Sequence, residues 1–424
     1  MTESVAIVGA GISGLACGNI LLENGIDSIL FDPNPIGGLV SCTSEEDFLY
    51  HRVGGHVFNS KNQDVLDWFW KRFDKDKEFT KANRHAVIYL DGKFINYPIE
   101  LSLKSLEPET GRKIINELIC LSSRDELSSN TDNFKDWLVS NFGQTLCQLY
   151  FLPYNEKIWR RDLSQIPLDW LSGKLPMISA NDILTQNIMS VGDDMVHSTF
   201  YYPVSGGSQF IANRLAEPLT IRQERVISIR NSGQAYYINE HPYPFQSIIY
   251  TGSLRDIPAL LTDDSSDLDR NNTVLTDIFA LDYNPTTTLL CECDANPYSW
   301  IYFPDNSFKV HRAIITGNFS AHNNPSSLPS GRSSCTIEFS GLASKQEMYD
   351  EAKKLPFNMK PISYNHCASS YILHNKDTKQ MVVRMRNYLA SRSIYTCGRF
   401  AEWQYYNMDA AISSAMKLVS SYYS

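Results

Sequence analysis

The sequence predicts an α/β protein. A Rossmann-type sheet is interrupted by an inserted helical region and backed by a second, antiparallel sheet. Three features predict this. An apolar run from Val5 to Val8 leads into Gly9-Ala-Gly-Ile-Ser-Gly14, then a helical stretch, then a second apolar run from Ile26 to Phe31. From about Ser102 to Ser190, Leu, Ile and Trp recur at helical spacing. From about Thr199 the chain turns to alternating β-type runs such as Tyr236-Tyr-Ile, Ser247-Ile-Ile-Tyr and Thr288-Leu-Leu-Cys.

Each element has a local reason. In Gly9, Gly11 and Gly14 the spacing is G-x-G-x-x-G, with Ser13 inside the turn. The first glycine lets the chain turn off the strand, the second lets backbone approach a pyrophosphate, and the third lets the helix pack close to the sheet. The helix then offers N–H groups and a positive dipole end to phosphates. Gly25 ends that helix as a C-cap would. Asp32 closes the second strand about 20 residues on, placed for ribose hydroxyls. Pro35-Ile-Gly37-Gly38-Leu39 follows, two more glycines that let backbone pass close to a cofactor. Gly111–Ser122 and Asn133–Val139 read as helices, with a polar loop at Ser128–Asn130. Asp264–Asn272 and Ser320–Ser334 read as polar loops, and Ile394–Ser424 as strand, glycine turn and amphipathic helix. The expected division is 1–90 with 205–262 and 390–424 for the dinucleotide-binding part. Residues 101–195 form the helical insertion, and 91–100 with 196–204 and 263–389 the antiparallel sheet.

Bulk properties narrow the function. The 424 residues suffice for two or three cores. A net charge of −9 argues against general nucleic-acid affinity. No apolar run reaches membrane-spanning length, and the N-terminus reads as no signal peptide, so the cytoplasm is the expected compartment. Of nine cysteines only Cys291 and Cys293 stand close together. Strand alternation turns both to one face, as reduced core thiols. No metal site is expected, and neither a G-x-S-x-G nor a Cys/His constellation supplies a side-chain nucleophile.

Six aromatic residues, Tyr97, Tyr154, Trp159, Tyr302, Tyr371 and Tyr405, offer faces for a base and hydroxyls for phosphates. Arg312 and Arg399 offer fork-like bonds to phosphate oxygens. His51, His85, His241, His311, His322, His366 and His374 read as ordinary histidines.

Several separated motifs carry a resemblance. The acid–spacer–Gly-Gly arrangement through Gly37 and Gly38 resembles the FAD family that includes amine oxidases and protoporphyrinogen oxidase. Within it, six segments in order are similar to the UDP-galactopyranose mutase family, nearer its eukaryotic-type members. They are Val53-Gly-Gly55-His56-Val-Phe, Asp91-Gly-Lys-Phe-Ile-Asn-Tyr97-Pro98, Pro153-Tyr154-Asn155-Glu-Lys-Ile-Trp159, Phe200-Tyr-Tyr-Pro-Val-Ser-Gly-Gly207, Trp300-Ile-Tyr302-Phe-Pro with Arg312, and Gly398-Arg399-Phe-Ala-Glu-Trp-Gln-Tyr405-Tyr-Asn407-Met408-Asp409.

The resemblance implies bound FAD, active when reduced by NAD(P)H or another reductant. It implies ring contraction of a UDP-bound pyranose to a furanose through a covalent adduct of the reduced flavin with the anomeric carbon. His56 would lie against the flavin. Tyr97, Tyr154, Asn155, Trp159, Tyr302, Tyr371 and Tyr405 would hold the UDP-sugar, and Arg312 and Lys174 its diphosphate. Gly9, Gly11, Ser13, Gly14, Asp32, Gly37, Gly38, Leu39, Gly55, Gly398, Arg399, Asn407, Met408 and Asp409 would hold the cofactor. The family also implies a homo-oligomer, dimer or tetramer, formed through the helical insertion. Departures cluster at the nucleotide and sugar: Lys174 stands for a diphosphate-gripping arginine, Glu100 for a glutamine, Ile99 for a uracil-contacting aromatic, His197 for an asparagine and Arg52 for an acid. Two rivals stay open: an FAD-dependent oxidoreductase of the amine-oxidase type, and a flavin-binding protein without mutase activity.

Overall fold

The computed structural model describes residues 4–123, 131–168, 178–189, 199–233, 235–263 and 273–423. Lys174, His197 and the expected polar loop at 264–272 lie outside them.

Apolar residues in the N-terminal run place Ser4–Val8 at the centre of a five-stranded sheet. Its order is Ile394–Thr396, Ser247–Tyr250, Ser4–Val8, Asp27–Phe31, Thr220–Arg222, and all its pairings are parallel. A parallel sheet is covered on both faces, which is why its strands are almost continuously apolar. One face packs on the Ile12–Glu23 and Met408–Tyr422 helices through Ile7, Leu15, Ile249, Ile412 and Val419. The other packs on the Thr378–Ala390 helix and a small three-stranded sheet through Ala6, Ile248, Ile229 and Met385.

The second sheet has seven strands. Their order is Lys360–Leu373, Asp282–Asp294, Arg332–Ser340, Val310–Ile314, Trp300–Tyr302, Ala86–Leu90, Lys93–Asn96. Its pairings are antiparallel except Trp300–Tyr302 with Ala86–Leu90, which is parallel, so the sheet is mixed. Ala86–Leu90 therefore belongs here, and the expected boundary at residue 90 falls inside a hairpin of this sheet. The expected loop at 320–334 gives up its end to the Arg332–Ser340 strand. Alternation sorts the side chains: Ile88, Tyr302 and Ile314 face the helical insertion, whereas Val87, Ile301, Ala313, Cys291, Cys293 and Cys335 face away. The two clustered cysteines are buried and unbridged on that far face. Among the described residues no group of His, Cys, Asp and Glu is set to hold a metal ion. Nor is any helix long and apolar enough to cross a membrane.

The helical insertion includes Pro108–Ser122, Phe134–Phe142, Leu152–Trp159 and Ala180–Met189. Before Leu152 the helix widens into a π turn, Cys147–Phe151. Pro153 lacks an N–H and its ring crowds the preceding turn, so a wider turn fits the chain there.

Candidate active site

Backbone builds the first half of the site. Gly11 forms a parallel bridge with Gly37, and Gly37 N–H donates to Ala10 O at 2.9 Å. The two glycine turns thus lie against each other at the start of the Ile12–Glu23 helix. That helix has no side-chain cap and no acidic residue in its first turn, so its N–H groups suit an anion. A β-carbon at Gly14 would overlap the carbonyl oxygen of Gly9, which is why helix and strand need glycine there. Asp32 Oδ2 accepts Ala10 N–H at 2.8 Å and Oδ1 accepts Asn34 N–H at 2.9 Å. The carboxylate is thereby fixed, with lone pairs left for hydroxyls.

The chain's other end closes this cradle. Gly398, at φ +94°, rests on Ser13, and a β-carbon there would overlap the serine hydroxyl. Leu39 is half-buried in the short turn Gly38–Val40. Asn407 stands exposed before the Met408–Tyr422 helix and Asp409 is in its first turn, while the Met408 side chain is buried in the core. Gly55 has a packing reason: a β-carbon would stand 2.6 Å from Ile314 Cγ2. The residues present suit a dinucleotide: an uncapped helix start for the pyrophosphate and the fixed Asp32 carboxylate for ribose hydroxyls.

Side chains build the second half. Tyr302 pairs directly with Arg312, and Arg312 with Glu338, on three adjacent strands. Opposed residues share a face, so these three project together toward the helical insertion. Arg312 Nη2 donates to both Glu338 oxygens, at 2.9 and 2.8 Å, and to Tyr371 OH at 3.3 Å. Tyr371 OH donates to Glu338 Oε1 at 2.7 Å. His311 Nε2 comes to 3.2 Å from the same oxygen, so this histidine is part of the site rather than ordinary. Burial alone would raise the Glu338 carboxyl, but Arg312 and His311 hold it well below the usual carboxylate range. Arg312 Nε, sealed from solvent, has no hydrogen-bond partner among the described residues.

Gly54 locates His56. A β-carbon on Gly54 would stand 3.4 Å from Arg312 Nη2, 3.6 Å from Glu338 Oε2 and 3.8 Å from His56 Nε2. The loop is pinned upstream by Arg52, whose carbonyl accepts Thr288 Oγ1 and Asn365 Nδ2 at 2.8 and 2.9 Å. Burial first, then the fields of Arg399 and Arg312, lowers the His56 imidazole to about 4. His56 is therefore neutral at physiological pH, and its buried Nε2 has no partner among the described residues.

Aromatic rings line the rest. Tyr154 stacks on Tyr150 with centroids 5.3 Å apart and meets Tyr302 edge-on at 5.5 Å. Tyr97 lies 5.1 Å from Tyr302. Trp159 meets Tyr371 and Tyr405 edge-on, and those two stack at 5.7 Å. Asn155 Nδ2 donates back to Phe151 O at 2.7 Å on its own helix. All six predicted aromatics thus converge around Arg312.

Three residues extend the expectations. Arg399 spends Nε and Nη2 on the Tyr406 carbonyl, at 3.0 and 2.6 Å, and Nη1 on Ser370 O at 3.4 Å, beneath the Tyr405 ring. These bonds brace the C-terminal loop. Glu338 went unpredicted, although a carboxylate inside the otherwise uncharged buried run Ser333–Phe339 signals a buried partner. Arg84 also went unpredicted: Nη2 donates to Tyr302 OH at 2.6 Å, its guanidinium lies over Trp300 and Tyr97, and no carboxylate pairs with it among the described residues. A cavity of about 340 Å³ lies elsewhere, beside Cys42, Asp47, Gln209 and His322, and none of the predicted residues borders it. Charge and ring geometry mark the site, not cavity size.

Comparison with known proteins agrees with this architecture. Residues 7–73 match the NAD(P)-binding Rossmann-like domain family. In sequence the chain is 27% identical to the UDP-galactopyranose mutase of Mycoplasma pneumoniae over 172 residues, 38% of this chain and 41% of that enzyme. The aligned stretch thus spans well under half of the relative's length. A crystal structure of reduced UDP-galactopyranose mutase superposes with a TM-score of 0.86 at 20% identity, covering 99% of this chain and 93% of that one. A putative protoporphyrinogen oxidase from Exiguobacterium sp. 255-15 follows with 0.74 at 14%, covering 99% and 98%. The chain therefore has the fold seen in UDP-galactopyranose mutase over nearly its whole length, and resembles that family in sequence over part of it.

Proposed function

We propose that this chain is a flavin-dependent UDP-sugar mutase that interconverts pyranose and furanose forms without net redox change. One observation carries the reading: the charge balance of the cleft. Among the described residues, Arg84, Arg312 and Arg399 face one ionised carboxylate, Glu338, around His56 and the ring cluster. Three guanidinium groups against one carboxylate leave an excess of positive charge, which suits the anionic diphosphate of a sugar nucleotide.

The glycine cradle, Asp32 and the Gly398 turn would hold FAD. When reduced, the flavin supplies a nucleophile toward the anomeric carbon. The chain's own residues would do the rest. Arg312, through its unengaged Nε, and the Tyr302, Tyr371 and Tyr405 hydroxyls would hold the diphosphate as it departs and returns. Tyr97, Tyr154 and Trp159 would stack on the nucleoside, and the packed rings would exclude water. Neutral His56 would offer its orphaned Nε2 to the flavin edge. Lys174 is proposed as a second diphosphate cation, NAD(P)H as the reductant, a homo-oligomer as the assembly and the cytoplasm as the compartment.

The test is a product assay with dithionite-reduced protein and a panel of UDP-sugars. Furanose product from any of them upholds the proposal. Oxygen-dependent peroxide from an amine, with no furanose formed, would establish the oxidoreductase reading that the shared fold also allows.

A further inference from the structure

The hairpin of Cys42–Glu45 with Phe48–His51 sets Cys42 directly opposite His51. Opposed side chains share a face. Cys42 Sγ lies 3.6 Å from His51 Nδ1 and 3.3 Å from Ser208 Oγ. His51 is thus no ordinary histidine, and the fold supplies a Cys/His pair that the spacing of the sequence does not show.

Hydrogen bonds behind the pair fix its protons. Asn323 Nδ2 donates to Thr316 O at 2.8 Å and to Tyr202 OH at 3.0 Å. Tyr202 OH accepts from that amide and donates to His51 Nε2, 2.6 Å away. Burial lowers the His51 imidazole to about 3, so it is neutral and carries its proton on Nδ1, turned toward the sulfur. Ser208 spends its own proton on Val40 O at 2.6 Å. The backbone N–H groups of Ser208 and Gln209, in the first turn of the Gly207–Ala216 helix, also donate to the sulfur. Donors therefore converge on Cys42 and favour a thiolate as it forms. Burial outweighs them and pushes the thiol up. Such a thiol reacts slowly with a reagent that merely collides with it, and gains most from a partner held in place.

A place for that partner exists. Cys42 borders the cavity of about 340 Å³, with Thr43, Ser44, Asp47, Asn213 and His322 around it. The walls are mostly polar, so the space suits a small polar molecule rather than a lipid. Gln209 also lines the cavity. Its Oε1 accepts Cys42 N–H at 3.2 Å, and its Nε2 donates to Ile36 O at 3.1 Å. A β-carbon on Gly37 would stand 3.3 Å from the same Oε1. One side chain therefore straps the cysteine to the second glycine turn of the cradle.

We propose that Cys42 is a modification site: a small polar disulfide, such as glutathione disulfide, seats in this cavity and transfers one half to the sulfur, which loosens the flavin cradle through Gln209. The Cys42 sulfur, having given its proton to solvent, attacks one sulfur of the disulfide. A new S–S bond forms, the old one breaks, and the other half leaves as a thiolate that takes up a proton. Cys42 is oxidised, the departing thiol is the reduced product, and the disulfide itself is the oxidant. The coupling to the cradle rests on the flavin reading above, whereas the modification does not.

The experiment incubates flavin-loaded protein with a concentration series of glutathione disulfide. Peptide mass spectrometry follows the adduct, and fluorescence follows released flavin. Cys42 should gain one glutathione at a rate that saturates with disulfide concentration. FAD affinity should fall about tenfold, the order of one lost hydrogen bond, and recover with dithiothreitol. Cys42→Ser should keep its flavin under the same treatment. Ser44→Phe, which fills the cavity and leaves the thiol, should lose the saturating reaction, while methyl methanethiosulfonate, a much smaller reagent, still labels Cys42. Adduct on the exposed Cys120 with Cys42 untouched overturns the proposal. So does a rate that is linear in disulfide and unchanged in Ser44→Phe, which marks a merely accessible thiol. Adduct on Cys42 with unaltered FAD affinity overturns the coupling through Gln209. A protein that takes up no FAD defeats the flavin reading instead, and the mass spectra still decide whether Cys42 is modified.

Discussion

The glycine cradle and the aromatic cleft meet at Gly398–Arg399 but are built by opposite means. The cradle is backbone: the Gly11–Gly37 bridge, the uncapped helix start, and glycines where a β-carbon would collide. Most of it lies within one short stretch of sequence. The cleft is side chains: Tyr302, Arg312, Glu338 and Tyr371 arrive from four strands, Tyr154 from a helix, and Arg84 and Tyr97 from the segments flanking the Ala86–Asn96 hairpin. Much of its charge is buried and balanced across strands, as in Arg312 with Glu338. A backbone site asks only that certain residues be small. A buried-charge site requires every partner to be present together, because a lone buried ion is costly. Substitutions should therefore act differently in the two regions.

The largest effect is expected at Arg312. Arg312→Ala should abolish turnover while leaving bound flavin. It should also destabilise the fold by about 3–5 kcal/mol, because the Glu338 carboxylate, 1% exposed, loses its cation. Adding Glu338→Gln should restore much of that stability in chemical unfolding but none of the activity. If the double variant is no more stable than the single one, the two residues are not one electrostatic unit, and the contrast between the regions loses its basis.

The cradle should fail sterically instead. Gly14→Ala drives a β-carbon into the Gly9 carbonyl and should cost about 1–3 kcal/mol, with a lower flavin-to-protein ratio in the purified protein. Gly25→Ala is the comparison. That glycine, at φ +73°, has nothing within 4 Å of an added β-carbon, so the change strains only the turn and should leave flavin content unaltered. Equal flavin loss in both would mean that Gly14 acts through the stability of the helix rather than through the shape of the cradle.

The same contrast explains what was legible in the sequence. The first strand, the glycine turn, the helix and Asp32 follow one another, so their spacing alone placed them. Tyr302 and Arg312 were found because each belongs to a motif. Glu338 has no motif, only the anomaly of a carboxylate in a buried strand. Arg84, between Asn83 and His85, carries no such anomaly, and only the tertiary fold sets it over Tyr97 and Trp300. The Ala86–Leu90 strand joins the second sheet through a local hairpin with Lys93–Asn96 and a parallel pairing with the remote Trp300–Tyr302, and the spacing of the sequence does not show the second. Long-range pairing leaves no local periodicity to read.

Arg399 stands where the two regions join, and the smallest effect is expected there. Its Nε and Nη2 hold Tyr406 O, its Nη1 reaches Ser370 O, and its guanidinium supports the Tyr405 ring. Lysine keeps the charge but not the planar fork. If Arg399 is a brace, Arg399→Lys should lower stability by about 1 kcal/mol and loosen Tyr405, with full flavin occupancy once FAD is saturating. If it grips a phosphate, the lysine variant should instead bind FAD more weakly, with an altered dependence on salt, and keep its thermal stability. Thermal unfolding and FAD titration on one preparation distinguish the two. The first result would place the residue with the side-chain machinery of the cleft, although its neighbour Gly398 belongs to the cradle.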